Sequence, residues 1–137
     1  MCSAYRWASA LTSLSKEGGR HKIYFMKLPG AERAFVKLEK LTKYSLNPGH
    51  SKGGHKARVF AAALGLTVDE AEWLRAELLR IAREGDATLT RTSVFGAHYV
   101  IDAMITHGEK SAVVRTAWMI NAGSDFPRLT SCYVKGK

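Results

Sequence analysis

Acidic side chains are in short supply in this 137-residue chain: 12 Asp and Glu stand against 21 Lys and Arg, leaving a formal charge of +9. Such an excess points to a polyanionic partner, either nucleic acid or an acidic protein. Cysteine is scarce as well. Cys2 and Cys132 lie at opposite ends of the chain, which rules out a disulfide framework and predicts a reduced, cytoplasmic setting with the Cys132 thiol buried in a strand. No apolar run approaches the ~20 residues of a membrane span, and Tyr5 to Leu14 is too short and too polar for a secretory signal, so no membrane partner is expected. The phosphate loop ending in Gly-Lys-Ser/Thr, the Gly-x-Ser-x-Gly elbow and the dinucleotide glycine fingerprint are all missing, and no cofactor is predicted.

The basic charge is concentrated in one part of the chain. Residues 1–56 hold 11 Lys and Arg against 3 acids, whereas residues 57–137 hold 10 against 9. At the end of the basic half, the stretch from Asn47 to Phe60 contains His50, Lys52, His55, Lys56 and Arg58 and no acid. Pro48, Gly49, Gly53 and Gly54 exclude regular structure until a helix starts near His55. Two glycines ahead of a helix N-terminus let a backbone approach an anion closely, the arrangement from which phosphate sites are built. The plain alternative is a solvated basic loop with His55 capping the helix or lying on the core. His50 and His55 have no cysteine or carboxylate beside them to complete a tetrahedral set, and no metal site is expected.

Taken in order, residues 1–25 read as an N-terminal extension with a weak helix and one edge strand, and residues 26–137 as a single domain. A helix is expected from Ala31, with Ala34, Phe35, Leu38, Leu41 and Leu46 on one stripe and Lys37, Lys40 and Lys43 on another side. After the loop, a helix with Val59, Phe60, Ala63 and Leu64 on its apolar face ends at Gly65. Thr67 and Glu70 form a capping box that starts the next, whose stripe is Leu74, Leu78 and Ile81. From Ala87 the period changes to two, giving strands over 87–94, 98–106, 111–120 and 129–135, with a hairpin turn at His107 to Lys110. Helices followed by a meander predict an α+β fold: N-terminal helices packed on one face of a four-stranded antiparallel sheet, with the other face open.

Alternation places His98 and Asp102 on one face of the second strand and Arg115 on one face of the third. On the last strand it groups Leu129, Ser131 and Tyr133 against Thr130, Cys132 and Val134. One face can then collect His98, Asp102, Arg115, Ser131 and Tyr133, depending on register. Metal-independent cleavage of RNA needs a base for the 2′-hydroxyl, cations for the charge on phosphorus and an acid for the leaving oxygen. His50 and His55 are candidates for the proton transfers and Arg115 for the cation, with Lys37, Lys40, Lys43, Lys52, Lys56 and Arg58 as nucleic-acid contacts. The structural alternative is an Asp102 to Arg115 cross-strand ion pair that only satisfies two half-buried charges.

The blocks Leu46-Asn47-Pro48 to His50, His55-Lys56-Ala57-Arg58-Val59-Phe60, Tyr99-Val100-Ile101-Asp102, Val114-Arg115-Thr116-Ala117-Trp118 and Phe126-Pro127-Arg128-Leu129-Thr130-Ser131-Cys132-Tyr133 resemble a family of small bacterial domains of unknown function. The resemblance runs from about Met26 to Val134 and implies a domain that occurs alone or at the ends of polymorphic toxins. Gly49 and Ser51 depart from the family's usual pattern, in which an acidic or amide residue and a proline are expected. At the level of layout, the chain is also similar to the barnase, colicin and RelE-like ribonucleases. That likeness implies catalytic roles for His50 or His55, Arg115, Ser131 and Tyr133, and an acidic immunity or antitoxin protein as partner. The leading expectation is therefore a metal-independent ribonuclease-like toxin domain. The alternative is a non-catalytic basic protein, phage-derived for instance, that covers nucleic acid or a nucleoprotein.

Overall fold

The computed structural model describes residues 26–52 and 54–136, so the expected extension over residues 1–25 lies outside the described residues. Four antiparallel strands, β1 (Thr88–Ser93), β2 (Gly96–His107), β3 (Lys110–Asn121) and β4 (Arg128–Gly136), form one sheet in the order β1-β2-β3-β4. Helix α1 (Leu38–Lys40) continues into a π-helical turn (Leu41–Ser45); α2 is Gly54–Leu64, and α3 (Ala71–Glu84) follows a 3-10 turn at Val68–Glu70. Helix α2 lies over β3 and β4 and α3 over β2, which is the expected α+β arrangement with the helices on one face.

Period-two alternation sorts the long strands as their sequence predicts. Tyr99, Ile101 and Ile105 of β2 and Val114, Thr116 and Trp118 of β3 are fully buried beneath the helices with Phe60, Leu64, Leu74, Leu78 and Ile81. Thr116, a polar side chain at the centre of this layer, is satisfied within the sheet. Thr116 Oγ1 donates to the Ile101 carbonyl at 2.9 Å and accepts from Trp118 Nε1 at 2.9 Å. Helix α3 starts as expected, with the Thr67 N–H and hydroxyl both donating to Glu70 Oε1 at 2.8 Å. Gly65, at φ 69°, ends α2. Its last carbonyls are taken by the β2–β3 turn: His107 Nδ1 donates to the Leu64 carbonyl at 2.8 Å and Lys110 Nζ to that of Ala62 at 3.3 Å.

Two expectations are corrected. No continuous helix runs from Ala31. A 3-10 turn at Ala31–Arg33 gives way to extended backbone, because the Phe35 N–H donates to the Pro127 carbonyl (2.9 Å) and its carbonyl accepts from the Leu129 N–H (3.0 Å). Phe35 thereby leaves the expected stripe and Val36 is buried in its place, with Arg75 Nε bound to the Val36 carbonyl. On β4, register passes from Trp118↔Leu129 to Ala117↔Ser131, leaving Thr130 as a bulge residue. The bulge puts Leu129 and Cys132 in the core and turns Ser131 and Tyr133 to the open face, so Leu129 does not share their side.

Candidate nucleic-acid interface

On the open face, β2–β3 register sets Asp102 opposite Arg115, and β3–β4 register sets Arg115 opposite Tyr133. Arg115 grips Asp102 in a fork, Nε to Oδ1 at 2.8 Å and Nη2 to Oδ2 at 3.0 Å. Lys135, the extra residue of a second β4 irregularity, reaches Asp102 Oδ2 at 3.0 Å. The bound Arg115, then Lys135, hold the Asp102 carboxyl below the usual carboxylate range, which makes it a poor proton acceptor near neutral pH. The Asp102 carboxylate in turn raises the Arg115 pKa, with a smaller contribution from the Tyr133 hydroxyl. Beside them lies a cleft of about 330 Å³ lined by Asp86, Thr88, Thr90, Val100, Asp102 and Arg115. His98 sits farther along this face, opposite Met119, with its Nε2 3.3 Å from Arg91 Nη2.

Cations from the helical layer meet this cluster at the β4 edge. Lys56, in the first turn of α2, places its ammonium 4.8 Å from the centre of the Tyr133 ring. Lys40 Nζ donates to the Thr130 carbonyl at 3.3 Å and stands 5.9 Å over Tyr44. Between them Cys132 is buried against Ser45, its thiol 3.7 Å from the hydroxyl; burial pushes the Cys132 pKa up to about 11 despite the nearby Lys56 and Lys40 charges. A protonated core thiol is no nucleophile.

The loop before α2 is folded on itself. The Gly54 N–H donates to the His50 carbonyl at 2.8 Å, and a Cβ on Gly54 would lie 2.6 Å from the Pro48 carbonyl oxygen. The close backbone approach predicted for a ligand is thus occupied at Gly54 by the chain's own Pro48; Gly53 lies outside the described residues. Arg58 Nη1 also donates to the Pro48 carbonyl, at 3.3 Å. His50 packs against Tyr44 with ring centres 4.4 Å apart, and its Nδ1 accepts from the Lys52 N–H at 3.0 Å.

The candidate residues therefore fall into separate groups. Arg115, Tyr133 and Lys56 come together, and Ser131 shares their face one step along β4. His50 stands with Tyr44 and Lys52, while His55 is solvent-exposed on α2 next to Lys56. Lys37 pairs with Glu39 at 3.8 Å, and Lys43 is exposed on the π-helical turn. Sequence reasoning missed Lys135 and Tyr44. The only signal for Lys135 was a cation closing the expected strand 129–135, which is otherwise neutral. Among the described residues no three His, Cys, Asp or Glu side chains converge as a metal site, and no helix is long and apolar enough to cross a membrane.

A family model described as a domain of unknown function (DUF6883) matches residues 27–136. Comparison with curated proteins and with solved structures finds no match.

Proposed function

We propose that this chain, which belongs to the DUF6883 family of domains of unknown function, binds RNA along the β4 edge. The observation that carries this reading is the meeting of Lys56, Tyr133 and Arg115, where a helix, an edge strand and a central strand contribute to one cationic seam with Lys40 and Lys135 beside it. Two cations already neutralise Asp102, and Asp86 in the adjoining cleft is paired with Lys27, so the seam keeps a positive excess for phosphate. Binding should weaken steeply with salt, because each neutralised phosphate releases counterions. Flat affinity for RNA between about 50 and 200 mM salt, or no binding at either, would falsify the proposal.

A second reading, cleavage of the bound RNA, is favoured by the exposed imidazole of His55 directly preceding Lys56. His55 would take the 2′-hydroxyl proton as that oxygen attacks phosphorus, with Lys56 and Arg115 facing the developing charge. The 5′-oxygen would leave taking a proton from solvent water, and the product would be a 2′,3′-cyclic phosphate. His55→Ala should then lower cleavage in EDTA by about a hundredfold or more with the melting temperature unchanged. Full-length RNA after prolonged incubation with the wild type would leave binding alone. As a cytoplasmic toxin domain the protein would be silenced by an acidic inhibitor covering the same cations, which would make inhibitor and RNA mutually exclusive ligands.

A further inference from the structure

Among the described residues, Phe95 is the most exposed aromatic ring, at 71% in the β1–β2 turn, and three further exposed rings stand together beside cations at the β4 edge. Tyr44 is 51% exposed, Phe35 47% and Phe126 37%. A packed aromatic side chain buries roughly 150–250 Å², and these three forgo a third to a half of that beside one strand. All three flank β4. Phe126 lies two residues before Arg128, and Phe35 is bridged to Arg128 through the Pro127 carbonyl and Leu129 N–H. Tyr44 lies beneath Lys40, which holds the Thr130 carbonyl. Tyr133, beneath Lys56, makes a fourth. From Arg128 to Lys135, a span of about 23 Å at strand rise, rings and cations are interleaved.

Building on the RNA-binding proposal, we infer that the seam is selective for single-stranded over duplex nucleic acid, with Tyr44, Phe35 and Phe126 stacking unpaired bases while Arg128, Lys40, Lys56 and Lys135 follow the phosphates. A duplex hides the faces of its bases inside the helix and offers these rings only sugar and phosphate. A single strand gains a stacking increment at each ring, worth roughly fivefold to a hundredfold in affinity. The lysines now over Tyr44 and Tyr133 have a role in the exchange: an ammonium drawn to a phosphate uncovers the ring that a base then covers. The register of β4 fixes the order of the contacts, since its bulge holds Tyr133 on the same side as Arg115.

The test uses the full chain with a labelled 12-nucleotide single-stranded RNA and a 12-base-pair RNA duplex, followed by fluorescence anisotropy at two salt concentrations. The single strand should bind at least about tenfold tighter. Tyr44→Ala should remove about fivefold or more of that affinity without changing the salt slope or the duplex affinity, and Tyr44→Phe should restore it. Lys40→Ala with Lys56→Ala should weaken both ligands and flatten both slopes. Equal affinity for the two RNAs with a steep salt slope would overturn the selectivity while leaving the RNA-binding proposal standing, and so would a Tyr44→Ala protein that binds the single strand like wild type. Absence of binding to either RNA at low salt would overturn both.

Discussion

Thr116 and Arg115 are neighbours in β3, yet their side chains meet opposite solvents. The Thr116 hydroxyl is sealed under the helices, where the Ile101 carbonyl and Trp118 indole complete its hydrogen bonds. Arg115 points the other way, into a cluster of charges that water still reaches. A hydroxyl such as that of Thr116 on the covered side needs partners within the fold, because an unmatched one has no water to turn to. On the open side the same backbone can present charge to a ligand at little cost to folding. The comparison teaches that stability and binding should respond to different residues of the same strand.

The largest effect should come from the covered side. Trp118→Ala removes a fully buried indole and leaves Thr116 without its donor, so a loss of about 3–5 kcal/mol is expected in urea unfolding. Thr116→Val should cost about 1–3 kcal/mol, since the shape is kept but the Trp118 N–H and the Ile101 carbonyl lose their partner. If either protein melts like wild type, the contrast between the faces is broken at its strongest point.

The open side should show the reverse pattern. Arg115→Ala leaves Asp102 paired with Lys135, so stability should fall by less than about 1 kcal/mol while RNA affinity drops and the log-log salt slope shrinks by about one. A folding defect larger than the binding defect would show that the ion pair serves the sheet rather than a ligand.

Asp102→Asn should have the smallest effect, and its size should depend on pH. The folded carboxyl titrates below its unfolded value of about 3.9, so its contribution is present above that pH and is lost as pH falls through the lower folded pKa. Thermal melts should therefore show wild type and Asp102→Asn converging as the pH drops below about 4, with wild type ahead by under about 1 kcal/mol at neutral pH. A constant gap across that range would assign the difference to something other than this titration.

What was legible in the sequence follows the same division of faces. Alternation in β2 and β3 is a local property, so Tyr99 with Ile101, and Thr116 with Trp118, could each be grouped on one face of their own strand from spacing alone. The Asp102–Arg115 pair was visible as a candidate because both residues broke apolar strands, although only register could join them. The break at Phe35 was not legible, because its cause is Pro127 and Leu129, about ninety residues away in the chain. The pairing of Lys56 with Tyr133 likewise depends on where α2 lands against β4. His50 and His55 stood out in the sequence by residue type, and the structure places one against Tyr44 and leaves the other in solvent.

The extra residue at Thr130 has a consequence for how this domain can diverge. Ala117 fixes it from across the sheet, its carbonyl accepting the Thr130 hydroxyl at 3.1 Å. Trp118 and Ala117 are consecutive opposite it, so loss of Thr130 would close the bulge and leave Leu129 and Cys132 facing the core with Ser131 and Tyr133 still on the open face. An added residue finds no such slack: placed just after the bulge, it would turn Cys132 to solvent and push Tyr133 against the helices, and the ring under Lys56 would disappear. Descendants of this sequence that keep the fold can therefore shorten the segment from Leu129 to Tyr133 by one residue more readily than they can lengthen it.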